Sequence, residues 1–426
     1  MQQNIKINMA IQLLETFFSG KLPFDGVMAK FFKNHRWMGA RERREVAEFV
    51  YDIFRNFEKL RYLANKFSDA DWNARIFVIL YLKIQNFKNL DELRRIFSGT
   101  QSELSYLTET EINFLSSIDT RESLPINAQL NYPLWMEDFL IRAFGSFENL
   151  QKEMKAMNCR ADVDLRVNTL KASKKDVIEK LNRSGLIVEN LKFSENGLRI
   201  LEERISRSHE VISNGLAEIQ DEGSQLIAQV CGVNSKSTVV DFCAGAGGKT
   251  LAIAAAMENK GRIFAMDKYP ERLERAKQRL RKAGVSNTFC QEITGKWLKR
   301  HEEIADVVLV DVPCSGTGTW RRNPDMRVKF SKNDLMELVK VQAEILEQAQ
   351  RLVKKGGQLV YATCSVLMEE NEDQVAEFLK KFPNFLRKKI ELKNLDSIVY
   401  SGEFLKLSPA EFGTDGFFAA LMERIN

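Results

Sequence analysis

Residues 237–250 read STVVDFCAGAGGKT, an apolar run closed by Asp241, then Gly245-Ala246-Gly247-Gly248 and Lys249-Thr250. The run Ser237–Asp241 predicts a buried strand. The glycine turn predicts a backbone that can pass close to a ligand, because no Cβ stands in the way. Lys249–Met257 opens a predicted helix. Strand, glycine turn and helix in that order begin an α/β unit.

The same alternation continues on both sides of this turn, from Val211 to the end. Arg262–Asp267 and Ala305–Asp311 read as strands, and Pro270–Ala283 as a helix. Leu335–Val353 reads as a long amphipathic helix ended by Gly356-Gly357. Gln358–Thr363 is a further strand, followed by a helix over Glu370–Lys381. Strands alternating with helices imply a mostly parallel, doubly wound sheet over 211–426. Ligands on such sheets bind at the carboxyl ends of the strands. Asp241, Asp267, Asp311 and Cys364 all fall at or just past predicted strand ends.

Residues 126–210 predict a small α/β module. Asp164–Leu170, Leu186–Val188 and Leu198–Leu201 read as strands, and Lys174–Gly185 as a helix. Residues 1–125 read as helices throughout, with apolar residues at helical spacing in Ile11–Phe18, Arg44–Phe54 and Ala74–Ile84. Their edges are basic: Lys30, Lys33, Arg36, Arg41, Arg43 and Arg44. Solvated helix faces look the same, so the charge alone does not assign an RNA contact.

The bulk numbers limit the classes. The chain has 426 residues, enough for two or three domains. At 44% hydrophobic and 28% charged it reads as soluble and globular. The apolar runs Ile76–Leu82 and Leu251–Met257 are too short to span a membrane. The first residues lack a signal-peptide core, so a cytoplasmic protein is expected. Six cysteines without a CxxC pair and three histidines argue against a zinc site or a disulfide framework. A net charge of +5 is weak support for a polyanionic partner.

The glycine turn excludes two common readings. A phosphate-binding P-loop needs a glycine where Cys243 stands. A nicotinamide dehydrogenase needs one where Thr250 stands. Asp267, some twenty residues on, can accept hydrogen bonds from two ribose hydroxyls, which suits any adenosine-containing cofactor. A tight turn with a solvent-facing Asp is the plain alternative.

Cysteines 314 and 364 stand apart from the other four. Buried cysteines are usually inert small hydrophobes, the reading for Cys159, Cys231 and Cys290. Cys314 follows an apolar strand in Asp311-Val-Pro-Cys-Ser-Gly and precedes a flexible loop, Ser315–Gly318. Cys364 ends a strand in Tyr361-Ala-Thr-Cys-Ser. Thiolates are strong nucleophiles at neutral pH. Carbon 5 of cytosine is a poor nucleophile until a thiolate adds to carbon 6. Hydrogen bonding at ring nitrogen 3 or the exocyclic amine favours that addition, and Asp311 can supply it. Carbon 5 then accepts a methyl group from a sulfonium, loses its proton and expels the thiol.

These segments resemble bacterial RNA cytosine-5 methyltransferases of the Sun (Fmu) type, which modify small-subunit ribosomal RNA. The match is carried by Ile219–Gln225, Asp241–Thr250, Asp311–Gly316, Tyr361–Ser365 and the tail Gly413–Phe418. The first 125 residues resemble the all-α, NusB-like RNA-binding domain of that group. The resemblance implies a Rossmann-like class I methyltransferase domain with S-adenosyl-L-methionine as cofactor. Its binding loop falls on Cys243, Ala244, Gly245, Ala246, Gly247, Gly248 and Lys249, its ribose ligand on Asp267, and an active-site acid on Asp311. Cys364 would be the nucleophile and Cys314 would help release the product. Residues alone do not rank the two thiols. Two departures stand out: Gly245-Ala246 replaces the usual Ala-Pro, and Glu292 stands where the family usually has an Asp near the adenine.

RNA contact is expected from Trp320-Arg321-Arg322, because an aromatic beside arginines can stack on a base and pair phosphates. The helix Pro270–Ala283 offers a second basic set: Arg272, Arg275, Lys277, Arg279, Arg281 and Lys282. A catalytically silent RNA-binding assembly factor is the rival reading. Nothing in the sequence requires more than a monomer.

Overall fold

A computed structural model describes residues 2–67, 73–85, 88–99, 104–118, 123–201, 204–392, 394–395 and 403–425. They form two compact units, one of Met1–Asp138 with Asn323–Phe330, the other of Phe139–Arg322 with Ser331–Asn426.

The first unit is helical. Its helices include Gln3–Ser19, Phe24–Asn34, Ala40–Phe54, Phe57–Ala64 and Ala74–Ile84. The last of these is apolar nearly all round, and Ile76–Leu82 are buried, as expected for a central helix. Its Phe77 is buried together with Phe17, Phe24, Phe54 and Phe57 of the other helices. Phe17 and Phe54 lie 5.0 Å apart, Phe24 and Phe54 4.9 Å, and Phe57 and Phe77 5.1 Å. Each buried ring contributes roughly 1.5–3 kcal/mol, so this cluster outweighs exposed ion pairs such as Arg94–Asp91. The segment 323–330, distant in sequence, completes the unit. Val328 joins the core, Asp325 Oδ2 accepts from the Phe24 N–H at 3.2 Å, and Arg327 Nη1 donates to Asn131 O at 2.6 Å.

The second unit holds two sheets. The smaller is antiparallel, in the order β2-β3-β1-β4, with β1 Val163–Val167, β2 Val188–Asn190, β3 Gly197–Ile200 and β4 Ala217–Ile219. The helix Lys174–Arg183 buries Val177 and Leu181 in the same core as Leu165 and Leu198.

The larger sheet runs β10-β12-β9-β8-β5-β6-β7, with β11 paired to β12. Its strands are β5 Thr238–Asp241, β6 Arg262–Asp267, β7 Thr288–Glu292, β8 Ala305–Asp311, β9 Val353–Thr363, β10 Phe385–Lys388, β11 Leu405–Leu407 and β12 Phe417–Arg424. β7, β6, β5, β8 and β9 pair in parallel; β10, β11 and β12 are antiparallel. The expected α/β fold with a mostly parallel sheet and an N-terminal helical region is what forms. β5, β8 and β9 are buried on both faces, which explains their continuous apolar runs. The order reverses at β5: β6 and β7 lie to one side, β8 and β9 to the other. A crevice at such a switch point is the usual ligand site.

Two local expectations are corrected, and one strand is added. The long helix spans Lys332–Ala349, so Gly356-Gly357 do not end it. They sit inside β9, where the pairing jumps from Ala305–Val353 to Val307–Gln358 and Lys354–Gly357 loop out, with Gly356 at φ +72°. A bulge of this kind needs a left-handed residue. The tail motif runs into β12, Phe417–Arg424, the antiparallel neighbour of β9. Cys159 is exposed rather than a buried hydrophobe. Among the described residues, no helix is long and apolar enough to cross a membrane.

Candidate active site

The glycine turn is held from three sides. Asp241, at the end of β5, is buried, and its Oδ2 accepts from Thr250 Oγ1 at 2.6 Å, tying the strand to the helix Gly248–Ala256. Burial pushes this carboxyl up to about 7. Its other oxygen, Oδ1, is buried and has no hydrogen-bond donor among the described residues. At the end of β6, Asp267 Oδ2 accepts from the Gly245 N–H at 3.0 Å and Oδ1 from the Tyr269 N–H at 2.8 Å. Each of those oxygens keeps a second lone pair. From the helix Pro270–Ala283, Arg279 Nη1 donates to Ala246 O at 2.8 Å.

Gly247 has φ +81°, and an added Cβ there would lie 3.2 Å from Ala276 Cβ. Gly245 has φ +54° with open space where a Cβ would point. The turn thus needs glycine at Gly245 for its backbone conformation alone. Cys243 and Ala244 complete the turn; Cys243 is half-buried, and burial drives its thiol well up. Glu292 ends β7 directly opposite Asp267 in the parallel register and is exposed.

Asp311 ends β8, and its Oδ2 accepts from Lys249 Nζ at 2.6 Å. Lys249 is largely buried, with its Nζ 5.7 Å from the centre of the Phe417 ring. Burial alone would lower the Lys249 pKa, but the Asp311 carboxylate outweighs it and the net shift is upward. Lys249, which the sequence places in the cofactor loop, is hydrogen-bonded to the strand-end acid, and its charge interacts with Cys364.

The two cysteines, 50 residues apart in the chain, meet with their sulfurs 3.4 Å apart. This follows from sheet order: β8 and β9 are parallel neighbours, with Asp311 opposite Ala362, so their carboxyl ends reach the same place. The loop after Cys314, expected from its sequence to be flexible, is packed and hydrogen-bonded. Ser315, Thr317 and Gly318 are buried. Thr317 Oγ1 lies 3.0 Å from Ser365 Oγ, the Val366 N–H donates to Thr317 Oγ1 at 3.0 Å, and the Gly318 N–H donates to Cys364 O at 3.0 Å. Gly416 N–H donates to Gly318 O at 2.8 Å, so the tail motif touches this loop backbone to backbone. A Cβ on Gly318 would stand 2.1 Å from Gly416 O. Gly318→Ala is therefore expected to lower stability by about 2–3 kcal/mol and to slow the site's chemistry. Thermal melting and initial rates check this; an unshifted melting curve would count against the close approach.

Trp320-Arg321-Arg322 is not an RNA-facing patch. Trp320 is 1% exposed. Arg321 and Arg322 bind the Asp415 carboxylate through their Nε atoms, at 3.1 and 2.5 Å, and Arg322 Nη2 binds Asp221 at 2.8 Å. Asp221 belongs to the Ile219–Gln225 motif and Asp415 to the tail motif, so the arginines lock three distant segments together. Sequence reading saw arginines next to tryptophan but could not see two buried aspartates waiting for them. The basic helix divides similarly: Arg279 and Lys282 have architectural partners, whereas Arg275 and Arg281 are exposed. Among the described residues, no group of three or more His, Cys, Asp or Glu is set to hold a metal.

Strand-end acids beside a glycine turn, with a thiol pair one strand away, can hold a nucleoside-type group and attack an activated ring. A family model described as 16S rRNA methyltransferase RsmB/F matches residues 228–423, and one described as an RsmF/B-like ferredoxin-like domain matches 132–205. The chain is 29% identical over 411 residues to a probable ribosomal RNA small subunit methyltransferase B of Bacillus subtilis (strain 168), covering 89% of this chain and 90% of that one. It is 30% identical to a ribosomal RNA small subunit methyltransferase F of Shewanella piezotolerans, covering 74% of this chain and 64% of that one. Among solved structures, one described as PH0851 superposes with a TM-score of 0.81 at 25% identity, covering 99% of both chains.

Proposed function

The chain belongs to the RsmB/F family of 16S rRNA methyltransferases, and from that premise we propose that it methylates carbon 5 of a cytosine in small-subunit ribosomal RNA through a covalent Cys364 adduct. The family's methyl donor is S-adenosyl-L-methionine. The observation that carries the finer reading is the 3.4 Å approach of Cys314 and Cys364 beside the Lys249–Asp311 pair. A methyltransferase acting on an exocyclic nitrogen has no need of a thiol, and this site presents two.

The residues present fit the cofactor. Gly245 and Gly247 open a turn without side chains, Asp267 keeps lone pairs for ribose hydroxyls, and the buried Asp241 Oδ1 is an acceptor without a donor among the described residues. Cys243, Ala244, Gly245, Ala246, Gly247, Gly248 and Lys249 would line it, Asp267 would take the ribose, and Glu292 would reach the adenine side. When bound, S-adenosyl-L-methionine supplies an electrophilic methyl group to carbon 5 of the base. Asp267→Ala should weaken its binding by roughly 10- to 100-fold, the scale of a charge-assisted hydrogen bond. Calorimetry measures this directly; an unchanged dissociation constant removes Asp267 from the ribose role.

The chain's own residues do the rest. The target base must leave its stack to reach a strand-end sulfur. Asp311 accepts from the exocyclic amine of the cytosine, with Lys249 fixing its carboxylate. The Cys364 thiolate forms a bond to carbon 6, and the electron pair displaced from the 5,6 double bond makes carbon 5 nucleophilic. Once carbon 5 is methylated its proton passes to water, the electrons of that C–H bond re-form the 5,6 double bond, and the Cys364–carbon 6 bond breaks with its electron pair leaving on sulfur. Cys314, in contact with the leaving sulfur, assists that release.

The test is to map 5-methylcytosine in small-subunit RNA from cells with and without the protein, and to repeat the reaction with the purified chain, labelled donor and naked RNA. A single cytosine that loses its mark is expected. RNA binding without methyl incorporation would favour a catalytically silent assembly factor instead.

A further inference from the structure

One arginine of the small sheet is buried without an anion. Arg166 lies on β1 and is 6% exposed. Its Nε donates to Gln220 Oε1 at 2.6 Å, and Gln220 Nε2 in turn donates to Ser224 Oγ at 3.2 Å. The guanidinium is therefore anchored on its Nε side only. Among the described residues, Nη1 and Nη2 meet no acceptor, and no carboxylate lies within ion-pair distance of them. Neither nitrogen is sealed from the surface. Burial pushes the Arg166 pKa down to about 10, with Glu218 opposing and Arg279 adding to the fall, so the group stays cationic near neutrality.

The carboxylate that could have served it is taken. Glu218 on β4 is the cross-strand neighbour of Arg166. Its Oε2 accepts from Arg279 Nη2 at 2.8 Å, and Lys282 Nζ stands 3.8 Å from its Oε1. Arg166, Arg279 and Lys282 thus share one carboxylate, and the group keeps a net positive charge. It lies beside the glycine turn: Arg279 Nη1 donates to Ala246 O, and a Cβ on Gly248 would be 3.9 Å from Gln220 Nε2. Arg275, one helical turn before Arg279 and on the same face, is exposed and extends the row. We propose that the two Nη groups of Arg166 receive one backbone phosphate of the RNA strand beside the glycine turn, with the row from Arg275 to Lys282 drawing the strand there. A guanidinium fork matches two phosphate oxygens. A row of cations suits a ligand of repeating charge better than a single carboxylate such as the methyl donor's. Phosphate contacts of this kind fix where a strand lies and carry no sequence information.

The proposal rests on the RNA substrate of the reading above and not on its cytosine-5 chemistry. It is therefore tested by binding alone, on the full chain without donor, so that a failure of methyl transfer is not mistaken for its failure. Binding to naked small-subunit RNA is titrated over a range of salt concentrations for wild type and Arg166→Met. Removing a buried, unpaired cation relieves a cost, so this variant should melt at or above the wild-type temperature. It should bind the RNA about tenfold more weakly at low salt. Its slope of log affinity against log salt should be shallower by about 0.7–0.9, the loss of one phosphate contact. Its dissociation constant for S-adenosyl-L-methionine, measured separately, should match wild type. Unchanged RNA affinity and slope in the folded variant overturn the proposal. Weaker donor binding with unchanged RNA binding overturns it too, and would give the fork to the donor's carboxylate. If Arg166→Met does not fold, Arg166→Lys is read instead. It keeps the charge and loses the fork, so RNA affinity should fall several-fold at an unchanged slope; wild-type affinity overturns the proposal. A wild-type chain that does not bind this RNA overturns it together with its premise.

Discussion

Methyl transfer is expected to fall by at least about 10⁴-fold in Cys364→Ala, the scale on which enzymes lose activity when a covalent nucleophile is removed. Cys314→Ala should behave differently. It leaves Cys364 able to form its bond to carbon 6 but removes the sulfur that lies 3.4 Å away when that bond must break. The variant should therefore accumulate a protein–RNA adduct that survives a denaturing gel, with little free methylated product. The double variant should show neither adduct nor product. If Cys364→Ala were the one that trapped RNA, the two roles would be exchanged. If neither trapped it and both stayed active, the covalent route itself would be wrong. The two sulfurs look alike by distance, so only this paired experiment assigns them.

The second large effect concerns Lys249. Its ammonium is largely buried, 2.6 Å from Asp311, and a buried cation without its partner would be costly. The pair is a unit: Lys249 fixes the carboxylate, and Asp311 keeps the lysine charged. Lys249→Met should reduce the single-turnover rate by about 10²–10³-fold, the loss seen when one preorganised polar group is taken from a water-poor site. Asp311→Asn should cost a similar factor. The double variant should be little worse than either, because a pair acting together shows strong non-additivity. Independent roles would instead multiply the losses. Donor binding measured in parallel separates this from a defect in the glycine turn; a tenfold weaker dissociation constant with normal chemistry would confine Lys249 to the cofactor-binding role.

Much of this was legible in the chain. The run Thr238–Asp241 and the turn after it have a pattern that is local in origin: apolar residues buried on both faces of a parallel strand, then glycines at positive φ. Arg262–Asp267, Pro270–Ala283 and Ala305–Asp311 form over the residues their periodicity marks. Pro270 starts its helix and Gly284, at φ +75°, stops it, and both signals depend only on the residue itself. The antiparallel strands were harder. Phe417–Arg424 alternates poorly because both faces are buried, and its partner β9 lies more than 50 residues earlier in the chain.

The site divides along the same line. Sequence alone determined which residues could do chemistry: acids at strand ends, a turn without side chains, and two thiols outside the helical interiors. It also determined that the doubly wound sheet would bring strand ends to one edge. Tertiary structure decided how those groups are paired. It set the sulfurs of Cys314 and Cys364 in contact, turned Lys249 onto Asp311, buried Trp320 and Arg321, and paired Arg321 and Arg322 with Asp221 and Asp415. It also put the buried Glu370 carboxyl against the Ser315 N–H and hydroxyl, next to Cys314. The physical reason is range. Strand and turn preferences act over a few residues and are written in the local pattern, whereas ion pairs and sulfur contacts act over a few ångströms of space and join residues that the chain keeps 50 or more positions apart.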